Sequence, residues 1–459
     1  MTYNETIEYL YNAAPAFEKV GASAYKEGLS NTEALDEHAN HPHRKYMTIH
    51  VAGTNGKGSC SHTLAAILQL AGLKVGLYTS PHLVTFRERI RVNGEMVPEE
   101  RVVSWVEENR QFFEPLHPSF FELTTALAFQ YFAEQEVDIA VIEVGLGGRL
   151  DCTNIIRPVL SVITNISFDH TQFLGDTLEK IAGEKAGIIK EGVPVIIGET
   201  TPETRPVFER VAQERHAPII FAEEHPVKLD CDYELKGSYQ EKNRQTVLNC
   251  LVPLARALKE HGHEISDATQ TVRKAFEHVC SLTGLQGRWQ TLSDPLSPTP
   301  LVICDTGHNV AGWEYLAPQI ASTFAAQLSK HSDATLRIVF GMVDDKDIDK
   351  VFSLMRKHLK PYLDSHKVEF YFCQASTHRA IPSTSVAEKA ASALQTGCSD
   401  PTKSYAYETA SQIGRSYPTV PSAYKSALSA STTHDFIFIG GSSYVVADLL
   451  ESLKQDKNL

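Results

Sequence analysis

Residues 47–61 read MTIHVAGTNGKGSCS, and no other stretch constrains the fold as tightly. A short apolar run at residues 49–52 has the length of a buried strand. It breaks into Gly53, Thr54, Asn55, Gly56, Lys57, Gly58 and Ser59, after which a helical pattern begins. Strand, glycine loop and helix in that order describe a phosphate-binding loop. Glycines let the backbone approach a polyphosphate, the loop N–H groups and the helix N-terminus supply partial positive charge, and Lys57 adds a full one. Ser59 is placed to offer a hydroxyl near a phosphate-bound Mg²⁺. The spacing departs from G-x-x-x-x-G-K-[ST], because Gly58 follows the lysine and no glycine lies five before Gly56. The competing reading is a glycine-rich turn with a solvated lysine.

A chain of 459 residues exceeds what one hydrophobic core usually supports, so two domains are expected. The Gly-, Pro- and Ser-rich stretch SLTGLQGRWQTLSDPLSPTP marks the boundary, giving an N-terminal domain over 1–284, a linker over 285–300 and a C-terminal domain over 301–459. No apolar run approaches the roughly 20 residues of a membrane span, and the first residues (MTYNETIEYLYN) lack the basic and apolar regions of a signal peptide. A cytoplasmic protein is expected. The eight cysteines (60, 152, 231, 250, 280, 304, 373 and 398) form no C-x-x-C pair, so reduced thiols are expected in place of a zinc site or a disulfide framework. A net charge of −13 argues against nucleic-acid binding, so any anionic ligand must meet local positive charge.

Apolar runs at 75–79, 139–144, 160–164 and 195–198 alternate with helical periodicity at 63–70, 98–113, 120–134, 178–189, 243–259 and 267–280. The 120–134 helix opens on Ser119 as cap with Glu122 three positions on. Residues 87–92 alternate charged and apolar side chains and predict a half-buried strand; Ile7, Leu10, Tyr11 and Ala14 predict an amphipathic lead-in helix. Beyond residue 300, runs at 301–304, 338–340, 368–372 and 436–439 predict a second, smaller doubly wound unit. The fold class is α/β, with mostly parallel sheets covered on both faces.

Ligands of such sheets gather at the carboxyl ends of strands, so polar residues there are informative. Besides the loop they are Ser80, Glu143, the segment from Asn165 to His170, and Asp305 with His308 and Asn309. Ser80, Glu143 and His170 offer a hydroxyl, a carboxylate and an imidazole, a set able to hold Mg²⁺, although histidine is an unusual Mg²⁺ ligand. Ser80 before a proline also fits a plain turn, His170 an exposed loop, and Lys185 a helical lysine paired with an acid. Glu143 stands in an apolar strand, where an unpaired carboxylate costs several kcal/mol, so a cation or a buried partner is expected.

Residues 47–59, 78–83 (YTSPHL), 143–154 (EVGLGGRLDCTN), 168–174 (FDHTQFL), 184–190 (EKAGIIK), 287–290 (GRWQ) and 305–309 (DTGHN) together resemble the folylpolyglutamate synthases and their bifunctional dihydrofolate synthase form, in the Mur ligase superfamily of ATP-dependent amide ligases. The resemblance implies a P-loop ATP-binding domain followed by a Rossmann-like one. It implies a ligase, acting through an acyl phosphate, that adds L-glutamate to dihydropteroate, to a (tetrahydro)folate, or to both; a Mur-type ligase using a UDP-linked cell-wall precursor is the alternative. On this reading Thr54, Asn55, Gly56, Lys57, Gly58 and Ser59 bind the ATP triphosphate, and Asn243, Arg288 and Asp305 reach the nucleotide. Ser80, Glu143 and His170 serve two Mg²⁺ ions, Lys185 resembles a lysine carbamylated in the family, and His308 resembles a histidine that closes the active site. Ser119, Phe120, Phe121, Glu122, Leu150, Asp151 and Cys152 correspond to the pterin-side pocket, where Phe120 and Phe121 either stack on a pterin or belong to the core. A small-molecule enzyme acting as a monomer is implied. Two departures stand out: the usual DGAHNP is here Asp305-Thr306-Gly307-His308-Asn309-Val310, and Tyr239 replaces the usual histidine of GxHQxxN.

Overall fold

The computed structural model describes residues 1–13, 28–265, 267–293, 299–394 and 413–457. Ala14, Cys398 and residues 294–298 of the expected linker lie outside them. The chain divides into two compact units, Met1–Leu235 with Tyr239–Leu285, and Lys236–Ser238 with Gln286–Leu459.

The first unit is built on eight strands: β1 (Met47–Ala52), β2 (Val75–Tyr78), β3 (Ile90–Val92), β4 (Glu95–Met96), β5 (Ile139–Glu143), β6 (Leu160–Ile163), β7 (Val195–Ile197) and β8 (Ile219–Phe221). Their order is β4-β3-β2-β5-β1-β6-β7-β8, parallel from β2 to β8, with β3 and β4 antiparallel at one edge. β1 lies between β5 and β6. The strand order reverses there, which opens a crevice at its carboxyl end. Alternation along the strands sorts the core onto two faces. Ile49, Val51, Val75, Leu77, Ile139 and Val141 pack with the helices Lys57–Leu70 and Gln240–Glu260. On the opposite face Tyr78, Ile90 and Ile142 pack with Phe120–Glu134, and Ala52, Ile163 and Ile197 with Leu178–Ala186.

The second unit has β9 (Gln290–Thr291), β10 (Leu301–Cys304), β11 (Leu336–Phe340), β12 (Val368–Cys373), β13 (Gly414–Tyr417) and β14 (Phe436–Gly440), ordered β13-β12-β11-β14-β10-β9. All are parallel except β9, which runs against β10. Trp313, fully buried on the helix Val310–Lys330, meets Phe340 and Phe438 edge-on.

The unforeseen strands share a cause. β4, β8, β9 and β13 are the four sheet edges. They are two to four residues long and only partly covered, so their pairing comes from a neighbour rather than from an apolar run. Residues 87–92 are a correction: the chain makes a 3₁₀ turn at Phe86–Arg89 and is extended only from Ile90. Glu88 accepts the N–H groups of Leu83, Val84 and Thr85 at 2.9, 3.0 and 3.0 Å, giving the backbone a local alternative to the ladder. The helix expected over 267–280 breaks at His278 into Ala268–Glu277 and Val279–Thr283.

Phe132, fully buried, packs so closely on β2 that a Cβ on Gly76 would lie 2.9 Å from its ring. Phe132→Ala is expected to cost about 3–5 kcal/mol through the cavity it leaves, read as a lower urea midpoint for unfolding.

Candidate functional site

The phosphate loop is held in place by the segment that follows β6. Thr54 N–H donates to the Asn165 carbonyl at 2.9 Å, and the Thr54 hydroxyl donates to Ser167 O at 3.2 Å while accepting from Ser167 N–H at 3.0 Å. Asn55 N–H donates to Asn165 Oδ1 at 2.9 Å, and the Thr164 hydroxyl donates to Asn55 O at 2.5 Å. Two glycines are obligatory here. Gly53 (φ +146°) would drive a Cβ to 1.8 Å from Thr164 Oγ1, and Gly56 (φ +85°) to 2.2 Å from Asn243 Oδ1. The helix Lys57–Leu70 then starts with its N–H groups beside the loop.

Two cations share one acceptor. Lys57 Nζ donates to Gly53 O at 3.0 Å and Thr54 O at 3.1 Å, and Lys185 Nζ donates to the same Gly53 O at 2.9 Å. Lys185 is 4% exposed. Burial, and then the neighbouring Lys57 charge, push its ammonium down to about 7, against the pull of Asp169 and Asp151. Ser59 is buried, its hydroxyl accepting from Gln240 Nε2 at 3.1 Å; Asn243 donates to Gln240 Oε1 at 2.8 Å. Ser59 and Asn243, both expected to reach the nucleotide, are thus linked through Gln240.

The metal-site candidates lie at or beyond the carboxyl ends of β2, β5 and β6. Glu143, 3% exposed, closes β5, and its Oε2 accepts from Ser80 N–H at 3.4 Å. His170 is half-buried with φ +49°, its Nε2 3.8 Å from Asp169 Oδ1. Among the described residues, no group of three or more His, Cys, Asp or Glu side chains is placed to hold a metal ion. The Glu143 carboxylate and Ser80 hydroxyl are hard oxygen donors, which suit a Mg²⁺ that keeps water and phosphate oxygens in its shell. His170 brings a less suitable nitrogen.

Of the residues expected to line an acceptor pocket, several have local work. Ser119 caps the helix Phe120–Glu134, its N–H donating to Glu122 Oε2 at 2.6 Å and its Oγ accepting from Glu122 N–H at 3.2 Å. Phe120 is core: it is 1% exposed, stacked on Tyr11 at 4.6 Å, edge-on to Phe86 and beneath the Arg89 guanidinium at 5.2 Å. Phe121 is half-buried, stacked on Tyr78 at 5.7 Å and against Gly145, where a Cβ would meet its ring at 2.3 Å. Leu150 is half-buried, and Cys152 is buried with Sγ 3.1 Å from Thr125 Oγ1. Asp151 is 5% exposed, its oxygens accepting from Leu146 N–H at 2.8 Å and Thr153 N–H at 3.0 Å. Burial raises its carboxyl above the usual range, against those hydrogen bonds.

In the second unit Asp305 is buried, with Oδ2 accepting from Trp289 N–H at 2.7 Å and Oδ1 from Gly307 N–H at 2.8 Å. Arg288 donates to the Thr306 hydroxyl and to Gly287 O. His308 Nδ1 lies 3.1 Å from Thr306 O, and Asn309 caps the helix Val310–Lys330. Asp305 therefore ties the segment carrying Arg288 to the turn carrying His308.

Sequence reading passed over Gln240, Thr164 and Arg89. Gln240 is the glutamine of the GxHQxxN pattern and Thr164 ends a predicted strand, so both carried a signal. Arg89, 1% exposed with Nε donating to His82 Nδ1 at 2.7 Å, was hidden in a charged, strand-like alternation.

Residues 51–253 match the Mur ligase middle domain. The dihydrofolate synthase/folylpolyglutamate synthase of Bacillus subtilis is 35% identical over 371 residues, covering 76% of this chain and 83% of that protein. Among solved structures, Escherichia coli FolC in complex with DHPP and ADP has a TM-score of 0.76 and 28% identity, over 100% of this chain and 99% of that one. A bifunctional folylpolyglutamate synthase/dihydrofolate synthase with Mn, AMPPNP and L-glutamate bound has a TM-score of 0.74 and 27% identity, over 99% and 98%.

Gly56→Ala places a β-carbon in a left-handed position against Asn243, so binding of a non-hydrolysable ATP analogue should weaken roughly tenfold or more with the circular dichroism spectrum unchanged. Lys185 carries a testable pH dependence. Its folded pKa of about 7 lies below the 10.5 of a free lysine, so between those values the unfolded chain binds more protons and stability rises with pH. In CO₂-free buffer, Lys185→Met should flatten the stability increase seen in the parent from pH 7 towards pH 10, measured by chemical denaturation.

Proposed function

The chain belongs to the dihydrofolate synthase/folylpolyglutamate synthase family, and from that membership and the loop geometry we propose that it is an ATP-dependent ligase joining L-glutamate to the carboxylate of dihydropteroate, of a folate, or of both. The observation that carries the reading is the convergence of Lys57 and Lys185 on the Gly53 carbonyl at the carboxyl end of β1. It sets the Lys57 ammonium where a polyphosphate would lie, beside the buried Lys185 amine. The relatives' activity favours this over a ligase using a UDP-linked cell-wall precursor. A loop of this kind alone would also serve a kinase or a nucleotide switch, but neither depends on an amino acid.

A carboxylate is a poor electrophile. In the proposed reaction the acceptor's carboxylate oxygen attacks the γ-phosphorus of ATP, the bond to ADP breaks, and an acyl phosphate results. The glutamate amine then attacks the acyl carbon, loses a proton and expels phosphate, leaving an amide. Phosphoryl transfer asks chiefly for positioning and charge neutralisation. The backbone N–H groups of residues 54–59 orient the triphosphate, and the Lys57 ammonium turns from the loop carbonyls towards it. Ser80, Glu143 and His170 would hold two Mg²⁺ ions, which neutralise phosphate charge when bound. Ser59, fixed by Gln240, faces the same phosphates, and Asn243, Arg288 and Asp305 belong to the nucleotide side. His308 either orients a phosphate or takes the amine's proton.

Lys185 would be carbamylated. A neutral amine is required, and its burial beside Lys57 supplies one near pH 7. The amine nitrogen bonds to the carbon of CO₂ and releases a proton, so that a cation becomes a carboxylate able to face Lys57 and a metal ion.

Small molecules account for every proposed partner, which accords with the net charge of −13, and the reading requires only one copy of the chain. Among the described residues no helix is long and apolar enough to cross a membrane. A cytoplasmic location suits the cysteines, seven of which are free in the described residues. The first unit would be the ATP-binding domain and the second the Rossmann-like one.

The test is ATP turnover with Mg²⁺ and L-glutamate in the presence of dihydropteroate, tetrahydrofolate or no acceptor, with product mass read directly. Gain of one glutamyl mass on both acceptors is expected of a bifunctional enzyme, and gain on tetrahydrofolate alone of a polyglutamate synthase. Turnover independent of acceptor and glutamate would overturn the assignment. Lys57→Ala should lower kcat about 10²- to 10³-fold, as loss of a preorganised electrostatic contact does.

A further inference from the structure

His50 sits on β1, three residues before Gly53, and is fully buried. Its Nε2 lies 2.9 Å from Thr153 Oγ1. The Thr153 hydroxyl in turn reaches Asp151 Oδ1, the oxygen that also accepts from Thr153 N–H. Asp151 takes further backbone N–H groups from Leu146 and Gly145, the pattern of a carboxylate acting only as acceptor. The Thr153 proton therefore points to Asp151, and the Thr153 oxygen must accept from His50. That fixes the tautomer: Nε2 carries the hydrogen and Nδ1 is bare.

Nδ1 is also a buried atom with no hydrogen-bond partner among the described residues. Burial pushes the ring's pKa down to about 3, with the Lys190 charge adding to the effect, so the imidazole is neutral at working pH. A neutral histidine with an orphaned nitrogen is a costly choice in a strand whose neighbours are Ile49 and Val51, since an apolar side chain would leave no polar group unsatisfied. The offsetting gain must come from the Nε2–H. The loop it steers is anchored on its other side to the helix bearing Lys185: Arg149 N–H donates to Glu184 O at 2.8 Å, and Asn154 Nδ2 donates to Gly187 O at 3.1 Å.

We propose that His50 is a positioning residue that, through the Thr153 hydroxyl, aims the Asp151 carboxylate and sets the loop 144–154 for the acceptor. The proposal rests on the reading of Leu150, Asp151 and Cys152 as part of the pteroate or folate pocket. His50 touches no substrate; it acts through Thr153.

The test compares His50→Met, which keeps bulk but removes the donor, His50→Gln, whose amide nitrogen can stand near the position of Nε2, Thr153→Val, and Asp151→Asn. KM values for the acceptor and for ATP, kcat, and melting temperature are measured for each. His50→Met and Thr153→Val should raise the acceptor KM roughly ten- to a hundredfold, the size of a lost hydrogen bond in a chain ending on a charged group, with the ATP KM unchanged. His50→Gln should restore the acceptor KM. Parallel loss for ATP and acceptor in both variants would reduce His50 to a structural residue and overturn the proposal. An unchanged acceptor KM in His50→Met, with a raised one in Asp151→Asn, would overturn the relay and leave the pocket standing. An unchanged acceptor KM in Asp151→Asn would overturn the pocket itself. If His50→Met does not fold, Thr153→Val and His50→Gln decide the relay by the same criteria.

Discussion

Two ammonium groups meet at the carbonyl oxygen of Gly53, and the rest of the first unit's polar architecture follows from holding them there. Burial first, and then the neighbouring Lys57 charge, drives Lys185 towards its neutral form, while Lys57 lies at the half-exposed mouth of the loop. A site of this kind is incomplete without an anion. Phosphate oxygens can supply one, and a carbamate on Lys185 another. The carbonyl can face both lysines only because residue 53 has a backbone conformation and a lack of side chain that glycine alone permits.

The strand order does the remaining assembly. With β5 and β6 on either side of β1, Val51 is paired with Glu143 and Ala52 with Ile163. The phosphate loop, the Glu143 carboxylate and the segment 164–170 therefore emerge side by side at the carboxyl ends of the central strands. Thr164, Asn165 and Ser167 grip the loop, so that its N–H groups are oriented before any ligand arrives, the preorganisation that electrostatic catalysis requires. Gln240, from a helix far along the chain, adds the tie between Ser59 and Asn243.

Around this centre many polar side chains serve other side chains or the backbone instead of a ligand. Glu122 completes the N-terminal cap of a helix, Asp151 gathers the N–H groups of its own loop, and Asp305 ties the residue after Arg288 to the turn before His308. Each is buried, and each accepts from backbone N–H groups, as burial of a carboxylate demands. Motif residues in such positions shape the site by fixing the backbone around it.

Much of this was legible in the sequence. The strand–loop–helix order at residues 47–61, the capping box at Ser119 and Glu122, and the apolar central strands are local patterns, written in glycine, in hydroxyl and carboxylate spacing and in β-branched runs. The resemblance to the ligase family rested on several such patterns in a fixed order. What only the tertiary structure decided is which distant groups meet. The edge strands drew their pairing from neighbours, Glu88 turned a predicted strand into a 3₁₀ turn, Phe120 went into the core and Phe121 only partly. The sharing of Gly53 O by residues 57 and 185, and the contact of His50 with Thr153, depend on strand order and on burial. Local sequence fixes neither, because both arise where segments a hundred or more residues apart are packed against one another.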